Sequence, residues 1–390
     1  MAFGMSLFAV ALFASRRDNF LADMSLATVF LAQAFSYPSF ILDEFNVLKV
    51  WSSLFASFDA VSLYILLPAL WFYVKAITAG APLLFSRQQL YHLIPFGLAF
   101  LLGLMLSTVP YDVRMRLLDG PIAKTFYEAI IAVLMNVVFL AQPIVTIAYV
   151  AVILRTLVKY RSRLKDLFAS TEHRELNWIG WFVVLFSIDL FATFFSDIMT
   201  ITLGSGFYGS PFDDAILLLL FGSLALWGAR QKPGLLENAL STNENVVSMR
   251  TPQYASITSQ PAMVKYGRSA LTEDMRVELA GKIIEAMEKK HLYLDANLSL
   301  KKLATHLGVH GNYISQTLNT ILQSTFFDYI NRWRIKAAKP HVAAQEETIL
   351  KIAYDAGFNS RSSFYKAFKK ETGKTPTEYR YENRLFLGKT

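Results

Sequence analysis

The chain has no cysteine and only 17% charged residues over 390 positions. Without cysteine, neither disulfides nor thiolate metal sites are available. The six histidines are scattered, with no paired spacing on one helix that would hold a metal. No glycine-rich phosphate loop, nucleophile elbow or His-Asp kinase pattern occurs, so no motif supports an enzyme and no cofactor is implied.

What is abundant is apolar: 54% of residues are hydrophobic and 14% aromatic. The excess lies in residues 1–230, where seven spans stand out, at about 2–15, 20–42, 50–74, 89–109, 127–153, 177–203 and 213–229. Most reach the roughly 20 residues that a helix needs to cross the hydrocarbon core. The expected fold is therefore all-α and begins with a seven-helix transmembrane bundle. The first span has no basic residue before it and is followed by Arg16 and Arg17, so it does not read as a signal peptide.

Those arginines put the N-terminus outside. Inside loops then hold Arg16, Arg17, Lys75, Arg87, Arg155, Lys159, Arg161, Arg163, Lys165, Arg174, Arg230 and Lys232. Outside loops hold only Lys49, Arg114, Arg116 and Lys124. Twelve basic residues against four place the C-terminal part in the cytoplasm.

Several polar residues fall at membrane depth: Asp59, Asn136, Gln142 before Pro143, Asp189 and Asp197. An intramembrane carboxylate is costly, which makes Asp59 and Asp189 candidates for contact with a ligand or ion. Asp189 and Asp197, eight apart, are expected to share a helix face. Asn136 has the plainer reading of joining helices, and Trp51, Trp71, Trp178, Trp181 and Trp227 that of interfacial belts.

The last third repeats one pattern. Leu303-Ala304, Gly308-Val309, Ile314 and Leu318 recur as Ile352-Ala353, Gly357-Phe358, Phe364 and Phe368. The offset is 49 residues for the first-helix landmarks and 50 for the second, so the second copy has one extra residue in its turn. A small residue lets two helices cross closely, and a glycine permits the left-handed backbone that ends the first helix. This is a helix-turn-helix, whose second helix enters the DNA major groove. Ser299, Thr348 and Ser360 are expected helix caps.

The stretches LSLKKLATHLGVHGNYISQTLN, TFFDYINRWRIKAAK and ILKIAYDAGFNSRSSFYKAFKKETGKTPTEYR resemble the AraC/XylS type of bacterial transcription regulator over residues 271–382. The resemblance implies two helix-turn-helix units joined by one long helix, binding double-stranded DNA and acting with RNA polymerase. Carried over by position, it offers Asn312, Ser315 and Gln316 from the first reading helix to bases. The second helix offers Arg361, Ser362, Tyr365 and Lys366. Asn and Gln suit adenine edges, Arg and Lys guanine. Lys369, Lys370, Lys374 and Arg380 are expected to meet phosphate or water.

Two positions depart from the family. Pro340 lies where the joining helix usually continues, so a kink or stop near Ala337 is expected. His310 stands where a capping Ser is common, which leaves the first reading helix weakly capped.

Charge follows the same division. From residue 265 onward there are 21 Lys and Arg against 13 Asp and Glu, while residues 1–264 carry 17 of each. All of the net +8 thus belongs to the C-terminal part. Residues 231–270, polar and rich in Ser, Thr, Asn, Gln and Pro, read as a flexible cytoplasmic linker. Such a tether transmits no rigid rotation, so communication through oligomeric state, local concentration or ordering of the linker is the expectation. Beyond it, Thr272 caps a helix with a stripe of Met275, Leu279, Ile283 and Met287. That stripe packs on the first helix-turn-helix unit or, alternatively, forms a homodimer contact.

The combined expectation is a one-component regulator in the bacterial inner membrane: a multi-pass bundle that senses an unknown signal, and a cytoplasmic AraC-like domain at 271–390. The rival reading is a transporter or channel with a regulatory DNA-binding tail, which would call for internal symmetry in the bundle. No such symmetry is visible in the sequence.

Overall fold

A chain this rich in Leu, Ala and Phe runs, with few strand-alternating stretches, satisfies its backbone within helices. The computed structural model describes residues 1–16, 19–43, 49–79, 87–119, 123–172, 174–203, 211–231, 272–344 and 346–387. Among these, every regular element is helical. Most of the expected linker, residues 232–270, lies outside the described residues. Contacts divide the chain into two units, Met1–Val158 with Leu176–Asn243, and Lys159–Glu175 with Glu244–Thr390.

The first unit contains α1 (Ala2–Ser15), α2 (Phe20–Phe35), α3 (Pro38–Asp43), α4 (Lys49–Ala56), α5 (Asp59–Thr78), α6 (Ile94–Thr108) and α7 (Tyr111–Asp119). It also holds most of α8 (Phe126–Leu167), together with α9 (Asn177–Leu203) and α10 (Pro211–Arg230). Among the described residues, five stretches are long and apolar enough to cross a membrane: Phe20–Asp43, Asp59–Thr78, Gln89–Thr108, Phe126–Leu167 and Asn177–Thr200. The first and last expected spans form shorter apolar helices.

An aromatic cluster ties those shorter helices in. Phe13 stacks on Phe30 at 5.7 Å, Phe221 meets Phe30 edge-on at 6.1 Å, and Phe186 meets Phe221 at 5.5 Å. A second core joins Tyr64, Leu102, Leu106, Leu117, Ile131 and Val138 from α5 to α8. The outer faces stay apolar: Val133, Val137, Leu140, Ile144 and Ile147 of α8 are all exposed.

The expected span at 50–74 is broken. Ser57 and Phe58 form a turn, and α5 starts at Asp59. Asp59 therefore stands in the first turn of a helix, where the unpaired N–H groups favour a carboxylate, and not in mid-span. Its carboxylate accepts a hydrogen bond from Ser39 Oγ at 3.1 Å. Asp189 is buried while Asp197 is exposed. Eight residues at 100° each leave them about 80° apart, so they do not share a face as expected. Asn136 donates to Ala132 O of its own helix at 2.8 Å and does not join helices through that bond. The cavity among Leu63, Tyr64, Leu67, Gln142, Thr146 and Leu190 measures about 10 Å³, one water at most.

Two of the basic residues assigned outside are held by local structure. Arg114 is buried, bonding Ser53 Oγ at 3.0 Å, and Arg116 pairs with Glu128 at 2.8 Å.

In the second unit, α11 (Glu273–Glu288) leads through a 3-10 turn at Leu292–Leu294 into α12 (Leu300–Leu307), α13 (Gly311–Thr320), α14 (Phe326–Ala344), α15 (Ile349–Asp355), α16 (Arg361–Thr372) and α17 (Pro376–Leu387). Two cores form, one around α11 to α13 and the start of α14, the other around the end of α14 with α15 and α16. Leu279, Ile283 and Met287 enter the first core, so three of the four stripe residues pack on the first helix-turn-helix unit. Met275, a turn earlier, is exposed.

The helix α14 runs through Pro340 to Ala344, and does not stop near Ala337. Pro340 and Lys336 are both exposed, and on that side a carbonyl deprived of its usual donor can bond water instead.

Candidate nucleic-acid interface

The two helix pairs are built alike, from the caps inward. Ser299 accepts from Lys302 N at 3.3 Å, Thr348 from Lys351 N at 3.2 Å, and Ser360 from Ser363 N at 3.2 Å. Each removes one of the unpaired donors at a helix start. His310 opens α13 with no side-chain cap, as expected where a capping Ser is replaced, and lies edge-on to Tyr313 at 6.0 Å. Gly308 ends α12 at φ +66° and Gly357 turns at φ +87°. At Gly357 a β-carbon would stand 2.8 Å from the carbonyl oxygens of Tyr293 and Leu294, so only glycine lets this turn meet that segment.

Burial then sorts the reading helices. Ile314, Thr317 and Leu318 point inward from α13, leaving Asn312 and Gln316 exposed and Ser315 half-buried. Phe364 and Phe368 are fully buried on α16, leaving Arg361, Ser362, Lys366, Lys369 and Lys370 exposed and Tyr365 half-buried. Nine of the eleven residues named from the sequence thus lie on these two helices, none of them fully buried, with Tyr365 packed against the second core.

Some are already organised. The Arg361 guanidinium lies 4.8 Å over the Tyr365 ring and donates to its hydroxyl at 3.0 Å. That hydroxyl is also 2.9 Å from Thr377 Oγ1 on α17. Burial raises the Tyr365 phenol, and the bonds to Thr377 and Arg361 outweigh it, so its net shift is downward. A planar guanidinium held in this way loses less entropy on meeting a base edge.

Of the expected phosphate contacts, Lys369 is exposed, whereas Lys370 pairs with Asp328 at 2.6 Å and Lys374 pairs with Glu382. Arg380 donates to Val342 O at 3.2 Å and Glu347 O at 2.8 Å. A carbonyl in the last turn of α14 and one in the segment before α15 thus hold its guanidinium.

The sequence reading missed Arg334. It is fully buried on α14 and donates to Tyr293 O at 2.8 Å, Asp295 O at 2.9 Å and Ala169 O at 3.3 Å. Its charge also lies 5.4 Å from the Phe358 ring. Burial pulls its pKa down to about 10, while Asp295 and Glu172 oppose that fall, and it remains charged at neutral pH. One side chain thus links the first core, the second turn and the segment after α8. The signal was present: Ile330, Arg334, Ala338 and Val342 recur every fourth residue, and all four are buried.

Two helix pairs, three of their four helices capped and each with a buried inner face and a polar outer face on its second helix, define a double helix-turn-helix DNA-binding domain. Residues 303–382 match the family model described as a helix-turn-helix domain, and this C-terminal domain is of the AraC type. The chain is similar to an uncharacterized HTH-type transcriptional regulator of Staphylococcus aureus (strain MSSA476), 27% identical over 178 residues, which are 45% of this chain and 24% of the relative. It is similar to the melibiose operon regulatory protein of Escherichia coli (strain K12), 34% identical over 86 residues, 22% of this chain and 28% of that protein. The match thus spans about a quarter of the length of these curated relatives. Among solved structures, the C-terminal domain of AraT, a response regulator from Geobacillus stearothermophilus, is 26% identical with a TM-score of 0.25, over 29% of this chain and 88% of that one.

Proposed function

We propose that this protein is a membrane-embedded one-component transcription regulator. Its first 230 residues form a multi-pass bundle of about seven spans, N-terminus outside, in a bacterial inner membrane. Its cytoplasmic AraC-type domain binds specific double-stranded DNA and acts with RNA polymerase. A signal received in the bundle, near Asp189 or Asp59, alters that binding, and membrane confinement favours a homodimer.

The observation that carries this reading is one of composition joined to geometry. Nine residues named from the sequence lie on the two reading helices of a domain that carries 19 Lys and Arg against 13 Asp and Glu over 271–390, in the same chain as five membrane-length apolar helices among the described residues. The exposed apolar face of α8 supports the membrane part, since such a surface is at home in hydrocarbon and a liability in water. Asn312 and Gln316 would read adenine edges and Arg361 and Lys366 guanine, with Ser315, Ser362 and Tyr365 flanking them. Lys369 and Lys370 would hold phosphate.

The test is to crosslink the full-length protein to the chromosome in its own host and sequence the recovered DNA. A few sharp sites sharing a motif about two helical turns long are expected. Recovery with no enrichment at any site, from cells in which the protein is present in the membrane fraction, would refute it.

A further inference from the structure

The second unit includes Lys159–Glu175, which is the last part of α8 and the segment after it. This segment is seated on the DNA reader at both helix-turn-helix pairs. At the first pair, Phe168 forms an antiparallel bridge with Ser299, the cap of α12, and Ala169 N donates to Leu298 O at 3.1 Å. Ala169 is 1% exposed and belongs to the first core, with Leu167 packed beside it.

At the second pair, Asn359 Nδ2 donates to Ser170 Oγ at 3.1 Å. Ser360 Oγ, the cap of the second reading helix, donates to Glu172 Oε1 at 2.6 Å. Between the two pairs, buried Arg334 reaches Ala169 O. The segment is internally fixed as well: Tyr160 donates to Arg174 O at 3.2 Å, Arg174 lies 4.2 Å over the Phe168 ring, and Thr171 bonds Glu175 at 2.8 Å.

These contacts leave the reading faces open. Asn312, Gln316, Arg361, Ser362 and Lys366 are all exposed with the segment in place. The segment therefore braces the supports of both reading helices without covering what they would present to bases. The dock is also imperfect, because Glu172 Oε2 is buried with no hydrogen-bond partner. An unsatisfied buried carboxylate oxygen weakens the contact and so lowers the cost of withdrawing the segment.

We propose that residues 168–172 are the element through which a change in the apolar helices reaches the DNA reader. Docked, they clamp the two helix-turn-helix pairs together and favour DNA binding; withdrawn, they loosen the caps of α12 and α16 and weaken it. This rests on the regulator reading above and gives it a route. Because the segment continues directly from α8 and leads into α9, it is a shorter connection than residues 231–270.

The absence of cysteine makes the test clean. In the full chain, reconstituted in lipid nanodiscs, Ser170→Cys with Asn359→Cys is treated with dibromobimane, which fluoresces only when it bridges two thiols. The bridged protein is expected to form, with neither cysteine alone giving signal, and to bind the most enriched chromosomal fragment at least as tightly as the unbridged parent. Glu172→Ala removes a negative charge beside a DNA reader, so electrostatics alone would raise affinity. Bracing instead requires a fall of about tenfold, on the scale of common allosteric couplings, with an unchanged salt slope. No bridging, bridged protein that loses DNA, or a gain of affinity in Glu172→Ala would each overturn the brace. A parent that binds no DNA while bridging normally would instead bring down the regulator reading, and the brace with it.

Discussion

Gly357→Ala tests the packing on which the domain depends. The glycine is at φ +87°, where a residue with a β-carbon is disfavoured by about 1–2 kcal/mol. The added atom would also stand 2.8 Å from two main-chain oxygens, those of Tyr293 and Leu294. The first does not retreat freely, since Arg334 Nε holds the Tyr293 carbonyl at 2.8 Å. Overpacking of this kind costs about a further 1–3 kcal/mol. Gly308 at φ +66° and Gly373 at φ +78° supply internal controls, because a β-carbon at either meets no atom within 4 Å. Alanine there incurs the dihedral cost alone.

The difference between Gly357→Ala and the two controls should therefore be about 1–3 kcal/mol, or about 5- to 150-fold in an opening equilibrium. Hydrogen exchange of the full chain in nanodiscs, followed in peptides from α15 and α16, reads this quantity directly. If Gly357→Ala exchanges no faster than Gly308→Ala, the turn is not pressed against the 293–294 segment. The account of how the two helix pairs interlock would then be wrong.

Arg361→Ala or Lys366→Ala should relax sequence preference at one position and cost about 1–3 kcal/mol in a competition assay; unchanged specificity removes that residue from the reading set. Lys369→Ala should weaken all sequences evenly and lower the salt slope by about one, whereas Lys370→Ala should lower it less, because Asp328 already partners Lys370. Arg334→Met should destabilise the reader by about 3–5 kcal/mol in chemical denaturation followed by Trp333 fluorescence, and Arg334→Lys should not rescue it, since three separate carbonyls need the forked donor. Asp189→Asn should alter the response of a reporter gene to the inducing condition while membrane insertion is retained; an unaltered response makes the acid structural.

The helix-turn-helix pairs were legible in the sequence because their signals are local. Caps at Ser299, Thr348 and Ser360, a left-handed glycine, and apolar residues every three or four positions each act within a few residues of chain. The start of α5 was legible in principle, for Asp59 is a good first-turn residue, but hydropathy over a wide window averages across the turn at Ser57 and Phe58. Pro340 misled because the cost of proline depends on which side of the helix its orphaned carbonyl faces, and that is a tertiary fact. Lys370, Lys374 and Arg380 read as free cations until the structure supplied Asp328, Glu382 and the end carbonyls of α14 as partners. Nothing local connects Glu172 with Ser360, which are 188 residues apart in the chain.

That last contact changes how the chain can carry a signal. A polar tether such as 231–270 transmits concentration and reach, not direction. Residues 168–176, by contrast, run between two helices, and their contacts with the reader are few and discrete. A signal acts on such an equilibrium only through the difference in free energy between docked and withdrawn states. Here that difference combines a buried Ala169 with its bonds to Leu298 and Arg334, side-chain hydrogen bonds at Ser170 and Glu172, and, against these, one carboxylate oxygen left unsatisfied. Each bond contributes about 1 kcal/mol and the unsatisfied oxygen costs about 1–3 kcal/mol, so that oxygen brings the dock closer to balance. A small balance is what a switch needs, because couplings of about 1–3 kcal/mol shift DNA affinity by about 5- to 150-fold. A dock with every group satisfied would hold the reader in one state whatever the bundle received.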